Sequence, residues 1–288
     1  MIEKFESGYE TTETEITVLL EDGCTGAWVM NNDWLCPSVD FIACIYQDSE
    51  EVSKEEGRIE WLLEKEASKS GWGYDFEKYG IYRLLVRKCI PKELEPYQSA
   101  SANNRYMLIK VLESDVKNEK LLAIKSPLLK PVFLETTYGQ FELNRSFSWF
   151  SADIKLGETK VNVAMQTDIH KGETAHKALS TFHKIAKNFE EFDLKNKESA
   201  ADYLLDLANE WYEESEDYEE DEFEDEDEAK PAAITKEMFM DAIELSEMVI
   251  NVDGSMTLYY LDGNMFWGHA IEMDIEPDGT CSDANIAG

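Results

Sequence analysis

Two patterns of apolar and polar residues divide the chain near its middle. Up to about residue 134, short apolar segments rich in β-branched and aromatic residues alternate with turn-forming residues, which is typical of strands. The segments that predict strands are residues 16–20, 34–46, 81–88, 106–112 and 121–124. The charged stretch 55–68 carries apolar residues at helical spacing and predicts one amphipathic helix. This half is therefore predicted to be a mostly-β module, a small barrel or sheet with one helix.

In the second half, strand patterns flank two longer helical patterns. Apolar stripes with a period of about 3.6 residues predict amphipathic helices over 175–189 and 201–212. The strand patterns are residues 141–154, 159–165, 247–252, 256–261 and 265–275, with a short helix at 235–240. Residues 141–154 predict either a bent strand or a hairpin. We predict an antiparallel sheet with the two amphipathic helices on one face.

A short loop flanked by Pro127 and Pro131 separates the two patterns. We place the boundary there and predict an N-terminal module, residues 1–134, and a C-terminal module, residues 135–288. A chain of 288 residues is long enough for two domains. The predicted fold class is α+β, because the strand and helix patterns are segregated along the chain.

Residues 213–228 form the most biased segment, since 13 of the 16 residues are acidic and none is basic. Such a run cannot bury enough apolar surface to fold alone, so we predict a loop that joins the helices to the last strands. It either keeps the protein in solution or attracts a cationic partner. The residues predicted to meet that partner are Glu213, Glu214, Tyr218, Asp221, Phe223 and Glu226.

The whole chain is acidic as well, with 27 Lys and Arg against 61 Asp and Glu, a net charge of −34. Without the acidic run the charge is still −34 + 13 = −21. Nucleic-acid binding requires cationic side chains that displace counterions, so this class is disfavoured, as is an anionic membrane surface. A basic protein would instead be attracted and steered.

The first residues show no basic and apolar secretion signal, and the longest apolar run, 41–46, is far shorter than the roughly 20 residues of a membrane helix. The five cysteines are odd in number and contain no Cys-x-x-Cys pair, which favours free thiols in a reducing compartment. We expect a soluble cytoplasmic protein.

The segment 261–271 reads as strand, tight turn and strand. If the second strand begins at residue 265, Met265, Trp267 and His269 share its apolar face, so His269 points to the core or to a pocket that opens from it. One interpretation is a buried structural histidine, and the other is a ligand site formed by Asp262, Trp267, Gly268 and His269. A bulge at Gly268 would reverse the phase and expose His269.

Other catalytic and metal-binding patterns are weak. His176 and His183 are separated by a helical rise of about 10.5 Å, whereas two ligands of one zinc ion lie about 3.4 Å apart. Residues 274–285 imitate a calcium loop but lack the glutamate at its last position. No nucleophile-elbow, phosphate-loop or dinucleotide motif occurs. We therefore predict no metal and no cofactor, and the interpretation leans away from an enzyme.

Several blocks of the second half carry a family resemblance. They are Tyr138–Arg145, the segment 261–271, Asp278-Gly279-Thr280 and Ile286-Ala287-Gly288. The region from about Thr137 to Gly288 resembles the bacterial family called domain of unknown function 2262. The resemblance implies a shared fold for this half and no catalytic residues, because the family has no established activity. The N-terminal module lies outside it.

Two functional hypotheses follow from these patterns. The first is a non-enzymatic cytoplasmic binding protein, of an immunity type or a regulatory type, that masks a basic protein partner. The second is an enzyme or small-ligand-binding domain with a pocket around Asp262, Trp267 and His269. The sequence sets no oligomeric state.

Overall fold

The computed structural model describes residues 1–94, 100–219 and 233–288. The chain divides into two compact units, Met1–Lys130 and Pro131–Gly288. Each unit contains its own sheet and its own hydrophobic core. The α+β fold class and the two-module plan are confirmed.

Unit 1 is a small β-barrel. Its strands are β1 (Tyr9–Leu20), β2 (Ala27–Val29), β3 (Trp34–Tyr46), β4 (Gly57–Glu60), β5 (Leu63–Glu64), β6 (Ile81–Cys89) and β7 (Arg105–Glu113). Strands β1, β3, β4, β7 and β6 close into a ring, in which β4 and β7 are parallel and the other pairs are antiparallel. A five-stranded barrel with a partly open seam is the architecture of the OB-fold, which hosts many functions.

Alternating side chains of the barrel strands fill its interior, as the two-residue period of a strand requires. Fully buried examples are Ile16 and Val18 of β1, Ile59 of β4 and Leu84 of β6. Two helices cover parts of the outer face: α1 (Ile2–Glu6) and α2 (Glu119–Leu128). The second of these begins at Asn118, whose side-chain oxygen accepts hydrogen bonds from the backbone N–H groups of Lys120 and Leu121.

Two sequence predictions for this unit are wrong. The stretch 55–68 is not a helix, because it contains β4, β5 and the start of a short 3₁₀ helix, Ala67–Ser70. Ile59 and Trp61 both belong to the barrel core, as the two-residue period of a strand allows. The apolar residues 59, 62 and 63 imitate helical spacing because the strand is interrupted between β4 and β5. The predicted strand 121–124 lies inside α2, because the Asn118 cap starts a helix just before it.

Unit 2 is an open eight-stranded sheet. Its strands are β8 (Phe133–Thr136), β9 (Gly139–Asn144), β10 (Trp149–Leu156), β11 (Thr159–Gln166), β12 (Glu244–Ile250), β13 (Met256–Leu261), β14 (Ala270–Ile275) and β15 (Cys281–Ala287). They lie in chain order from β8 at one edge to β15 at the other. Strands β11 and β12 are parallel, which corrects the all-antiparallel prediction, because a helical crossover joins them.

That crossover contains α3 (His176–Lys187), α4 (Phe189–Glu219) and α5 (Lys236–Ala242). The apolar stripe of α3 buries Ala178, Phe182 and Ile185 in the core of the unit, and α4 buries Ala201, Leu204 and Ala208 there. Both predicted amphipathic helices are therefore confirmed. No helix among the described residues is both long enough and apolar enough to cross a membrane.

The acidic run is helical over its first part. Helix α4 continues to Glu219, so residues 213–219 are not the loop that their charge predicts. Glutamate is a good helix former, and the packed turns before residue 213 supply the nucleus that an isolated acidic peptide lacks. The rest of the run, including the predicted contact residues Asp221, Phe223 and Glu226, lies outside the described residues.

Candidate functional site

The turn between β13 and β14 is organised by one carboxylate. Asp262 is buried, and its Oδ1 accepts a hydrogen bond from the N–H of Asn264 at 3.1 Å. Its Oδ2 accepts two more, from the N–H of Phe266 at 2.8 Å and from the N–H of Gly268 at 2.9 Å. Asp262 therefore fixes the turn, and its oxygen atoms are occupied by the backbone.

Glycine is required at the start of this turn. Gly263 has a φ of +60°, and a Cβ atom there would lie 2.6 Å from the carbonyl oxygen of Ala242. Asn264 and Trp267 also have positive φ values, of 67° and 56°. Four hydrogen bonds to Asp262 hold this backbone, because the N–H of Met265 also binds its carbonyl oxygen.

The left-handed backbone changes which side chains face the core. Strand β14 begins at Ala270 and not at residue 265, so the predicted alternation starts only there. Phe266 is fully buried, Trp267 is 59% exposed and His269 is half-buried. The prediction that Trp267 shares the core face is wrong, since a strand period does not apply within a turn. Ile271, Met273 and Ile275 are buried, as predicted.

Trp267 belongs to an aromatic cluster, which we define as Trp211, Phe266, Trp267 and His269. Trp211 lies at the centre, with its ring 4.7 Å from Trp267, 5.6 Å from Phe266 and 6.0 Å from His269 between centroids. Phe239 of α5 lies behind Phe266 at 6.4 Å. The cluster thus combines the buried Phe266, the half-buried Trp211 and His269, and one exposed indole, Trp267.

The sequence pattern predicts Trp211 only as one residue of the apolar stripe of a helix. It does not predict that Trp211 lies at the centre of this cluster. Trp211 lies in α4 and is separated from Trp267 by the whole acidic run and three further elements. No local spacing pattern can reveal such a pair. The one usable signal was the unusual Trp-Gly-His sequence itself.

The cluster lies beside the most acidic part of the chain. Glu210 and Glu213 flank Trp211 along α4 and are exposed, and the last turn of this helix has no basic residue. An exposed indole here sits in a negative potential, which favours a cation over its face.

The other three histidines have separate partners. His170 Nδ1 lies 3.3 Å from the hydroxyl oxygen of Ser148, and His176 Nδ1 lies 2.9 Å from Asp168 Oδ2. The ring of His183 packs beside Tyr138 and Phe182. Across the part of the chain that the structure describes, no group of three or more His, Cys, Asp or Glu residues could hold a metal ion.

Asp168 is a structural residue that the sequence did not indicate. Its oxygens accept hydrogen bonds from the backbone N–H groups of His176 at 3.0 Å and Lys177 at 3.1 Å, so it caps α3 from eight residues upstream. Burial alone would raise the pKa of Asp168. The two backbone hydrogen bonds, together with those from the Thr174 hydroxyl and the His176 ring, outweigh burial and hold this pKa well below its usual range.

We predict that Asp168→Ala lowers the free energy of unfolding of unit 2 by about 1–2 kcal/mol at neutral pH. Because the folded pKa is depressed, the wild-type stabilisation is complete above the ordinary carboxyl pKa of about 3.8 and is lost as the pH falls below it. Denaturant unfolding at neutral and acidic pH measures both effects. Asp206→Ala, at an exposed position of α4, is the control. An equal loss of unfolding free energy in both variants would contradict the role of Asp168 as the cap of α3.

Comparison with known proteins gives a family. The family model described as "Uncharacterized protein conserved in bacteria (DUF2262)" matches residues 135–286, and the chain belongs to this family. The resemblance drawn from the blocks at 138–145 and 261–271 is confirmed. A second model, "Domain of unknown function (DUF7021)", matches residues 1–127. No curated protein and no solved structure matches the chain.

Proposed function

We propose that this protein acts in the cytoplasm as a non-enzymatic binding protein, of an immunity type or a regulatory type, that masks a basic surface of a protein partner. The observation that carries the proposal is the exposed indole of Trp267, which packs at a tilt against Trp211 of α4, close in sequence to the acidic end of this helix. Large aromatic side chains that rest on a packed base are the usual anchors of protein interfaces.

Charge supports a cationic partner. The net charge of −34 would steer a basic protein toward this chain and repel anionic partners. Trp267 can then hold an arginine or lysine of the partner by a cation–π contact, worth roughly 0.5–2 kcal/mol. Glu210 and Glu213, which are exposed on α4, add attraction at the same end of the helix.

The geometry of the turn argues against acid–base chemistry at Asp262. A general acid or base must present an accessible oxygen to its substrate. Both oxygens of Asp262 accept backbone hydrogen bonds within the turn, and the residue is only 5% exposed. The alternative of a ligand pocket around Asp262, Trp267 and His269 therefore rests on the two rings alone, which serve a binding surface equally well.

The test begins with affinity capture from a lysate of the native bacterium, at low and at high salt. A partner that binds at low salt is purified, and its affinity for the full chain is measured by titration calorimetry. We predict that Trp267→Ala weakens the complex at least tenfold, the loss expected for an anchoring aromatic. Phe147→Ala is the matched control, since Phe147 is similarly exposed in unit 2 but lies outside the cluster.

A second pair of variants tests the charge. Replacing Glu210 and Glu213 together by glutamine should weaken the complex at low salt and reduce its salt dependence. The same change at Glu190 and Glu191, exposed residues in the first turn of α4, is the control. Capture of no partner at either salt concentration would contradict the proposal. So would an affinity that is unchanged by Trp267→Ala.

A further inference from the structure

Unit 1 contains a pocket that originates in the short seam of its barrel. Strand β4 pairs with β7 over three residues only, from Arg58 opposite Arg105 to Glu60 opposite Met107. The chain then leaves β7, and β5 pairs with β3 instead. Leu108 and Ile109 of β7, just beyond this pairing, line the pocket, which has a volume of about 490 Å³. Pockets of this size accommodate small organic molecules.

Aromatic rings form much of the wall. Phe5 of α1, Trp34 of β3, Trp61 and Tyr74 all line the pocket. The ring of Trp61 is fixed, because its Nε1 donates a hydrogen bond to the carbonyl oxygen of Trp72 at 2.8 Å. Tyr74 meets this ring edge-on, at 5.4 Å between centroids. The rings of Trp61 and Tyr74 are therefore held in place before any ligand arrives, which lowers the entropic cost of binding.

The charge of the pocket selects the type of ligand. Among the described residues that line it, Glu6 is the one with a charged side chain, and it is exposed. The faces of tryptophan and tyrosine rings attract cations, and a carboxylate adds to that attraction. An anionic ligand would meet both this carboxylate and the net charge of −34.

We propose that this pocket binds a small organic cation, in which an ammonium group is joined to an apolar or aromatic body. The apolar body contacts the aliphatic wall formed by β7 and by Leu62 and Leu63. The ammonium group lies over an aromatic face and toward Glu6. The site is contained within unit 1, so it is independent of the aromatic cluster of unit 2.

The probe is benzyltrimethylammonium, and its affinity for the full chain is measured by titration calorimetry. Neopentylbenzene is the neutral isostere, and phenylacetate is the anionic counterpart. We expect the cation to bind about tenfold more tightly than the neutral isostere, the ratio that a desolvated cation–π contact gives, and phenylacetate not to bind. Equal binding of the cation and the neutral isostere would overturn the proposal, and so would binding of none of the three.

Variants place the probe in the pocket. Trp34→Ala should weaken binding of benzyltrimethylammonium at least tenfold, while Trp28→Ala, in the same hairpin but outside the pocket, should leave it unchanged. Glu6→Gln should reduce the preference for the cation over the neutral isostere, and Glu3→Gln on the same helix should not. If Trp34→Ala fails to fold, the comparison of Glu6→Gln with Glu3→Gln still tests the site, because both substitutions are at exposed positions. Equal effects of Glu6→Gln and Glu3→Gln would overturn the site.

Discussion

Replacing Glu60 by alanine is expected to lower the free energy of unfolding of unit 1 by about 3 kcal/mol. The carboxylate of Glu60 is only 3% exposed, and it accepts hydrogen bonds from the Tyr9 hydroxyl and from Arg105 Nη2, the latter at 2.5 Å. Its removal leaves the buried Tyr9 hydroxyl without an acceptor and the Arg105 guanidinium without its partner ion. A buried donor left in this way loses its hydration without compensation.

Burial and the nearby Glu60 carboxylate shift the pKa values of two neighbouring groups in the same direction. Burial, then the charge of Glu60, raises the pKa of Tyr9 well above its usual value, so the hydroxyl remains a donor. The same two causes raise the pKa of the Cys36 thiol to about 12. Because the folded pKa of Tyr9 is raised, its contribution to stability is complete below the unfolded value of about 10 and is lost as the pH rises above it.

Denaturant unfolding of the full chain, with hydrogen exchange read on peptides of unit 1, measures the Glu60→Ala effect. Glu64→Ala is the matched control, since Glu64 is an exposed acid at the end of β5. Glu60→Gln keeps an acceptor for Tyr9 and should therefore lose less stability than Glu60→Ala. A Glu60→Ala chain as stable as Glu64→Ala would show that the buried network does not stabilise the barrel.

The sequence could not single out Glu60, although it predicted most of the barrel strands around it. Strands β1, β3, β6 and β7 have apolar side chains with a period of two over many residues, and such patterns are local. The importance of Glu60 comes from a partner 51 residues away in the chain, Tyr9. With 61 acidic residues in the sequence, nothing local separates this one from the others.

In unit 2 the turn at Asp262-Gly263-Asn264 was predictable, because these residues favour left-handed backbone. The length of the turn was not predictable, and the prediction started strand β14 at residue 265, five residues before its first residue, Ala270. That difference depends on the three backbone N–H groups that donate to the Asp262 carboxylate, and no pattern of residues encodes these bonds. The exposure of Trp267 follows from this turn. The position of the candidate site could therefore be predicted from the sequence, but which of its side chains are exposed could not.

Replacing Asp262 by alanine is expected to lower the free energy of unfolding of unit 2 by about 2–3 kcal/mol. Three backbone N–H groups lose their acceptor, and that of Phe266 belongs to a fully buried residue, which water cannot reach without opening the turn. Asn264 would lose the bond made by its own N–H, and Trp267 would lose the bonds made by its neighbours Phe266 and Gly268, so neither left-handed conformation would be held as firmly.

Asp253→Ala is the matched control for this change, because Asp253 also precedes a glycine in a tight turn of the same sheet. It accepts hydrogen bonds from Ser255, but at an exposed position where water can replace it, so a smaller loss than for Asp262→Ala is expected. Denaturant unfolding compares the two variants. Equal losses would mean that burial of the Asp262 network adds no stability.

Under the proposed function, Asp262→Ala should also weaken partner binding. Asp262 positions Trp267 without being exposed to the partner itself. Asp253→Ala should leave the affinity for the partner unchanged.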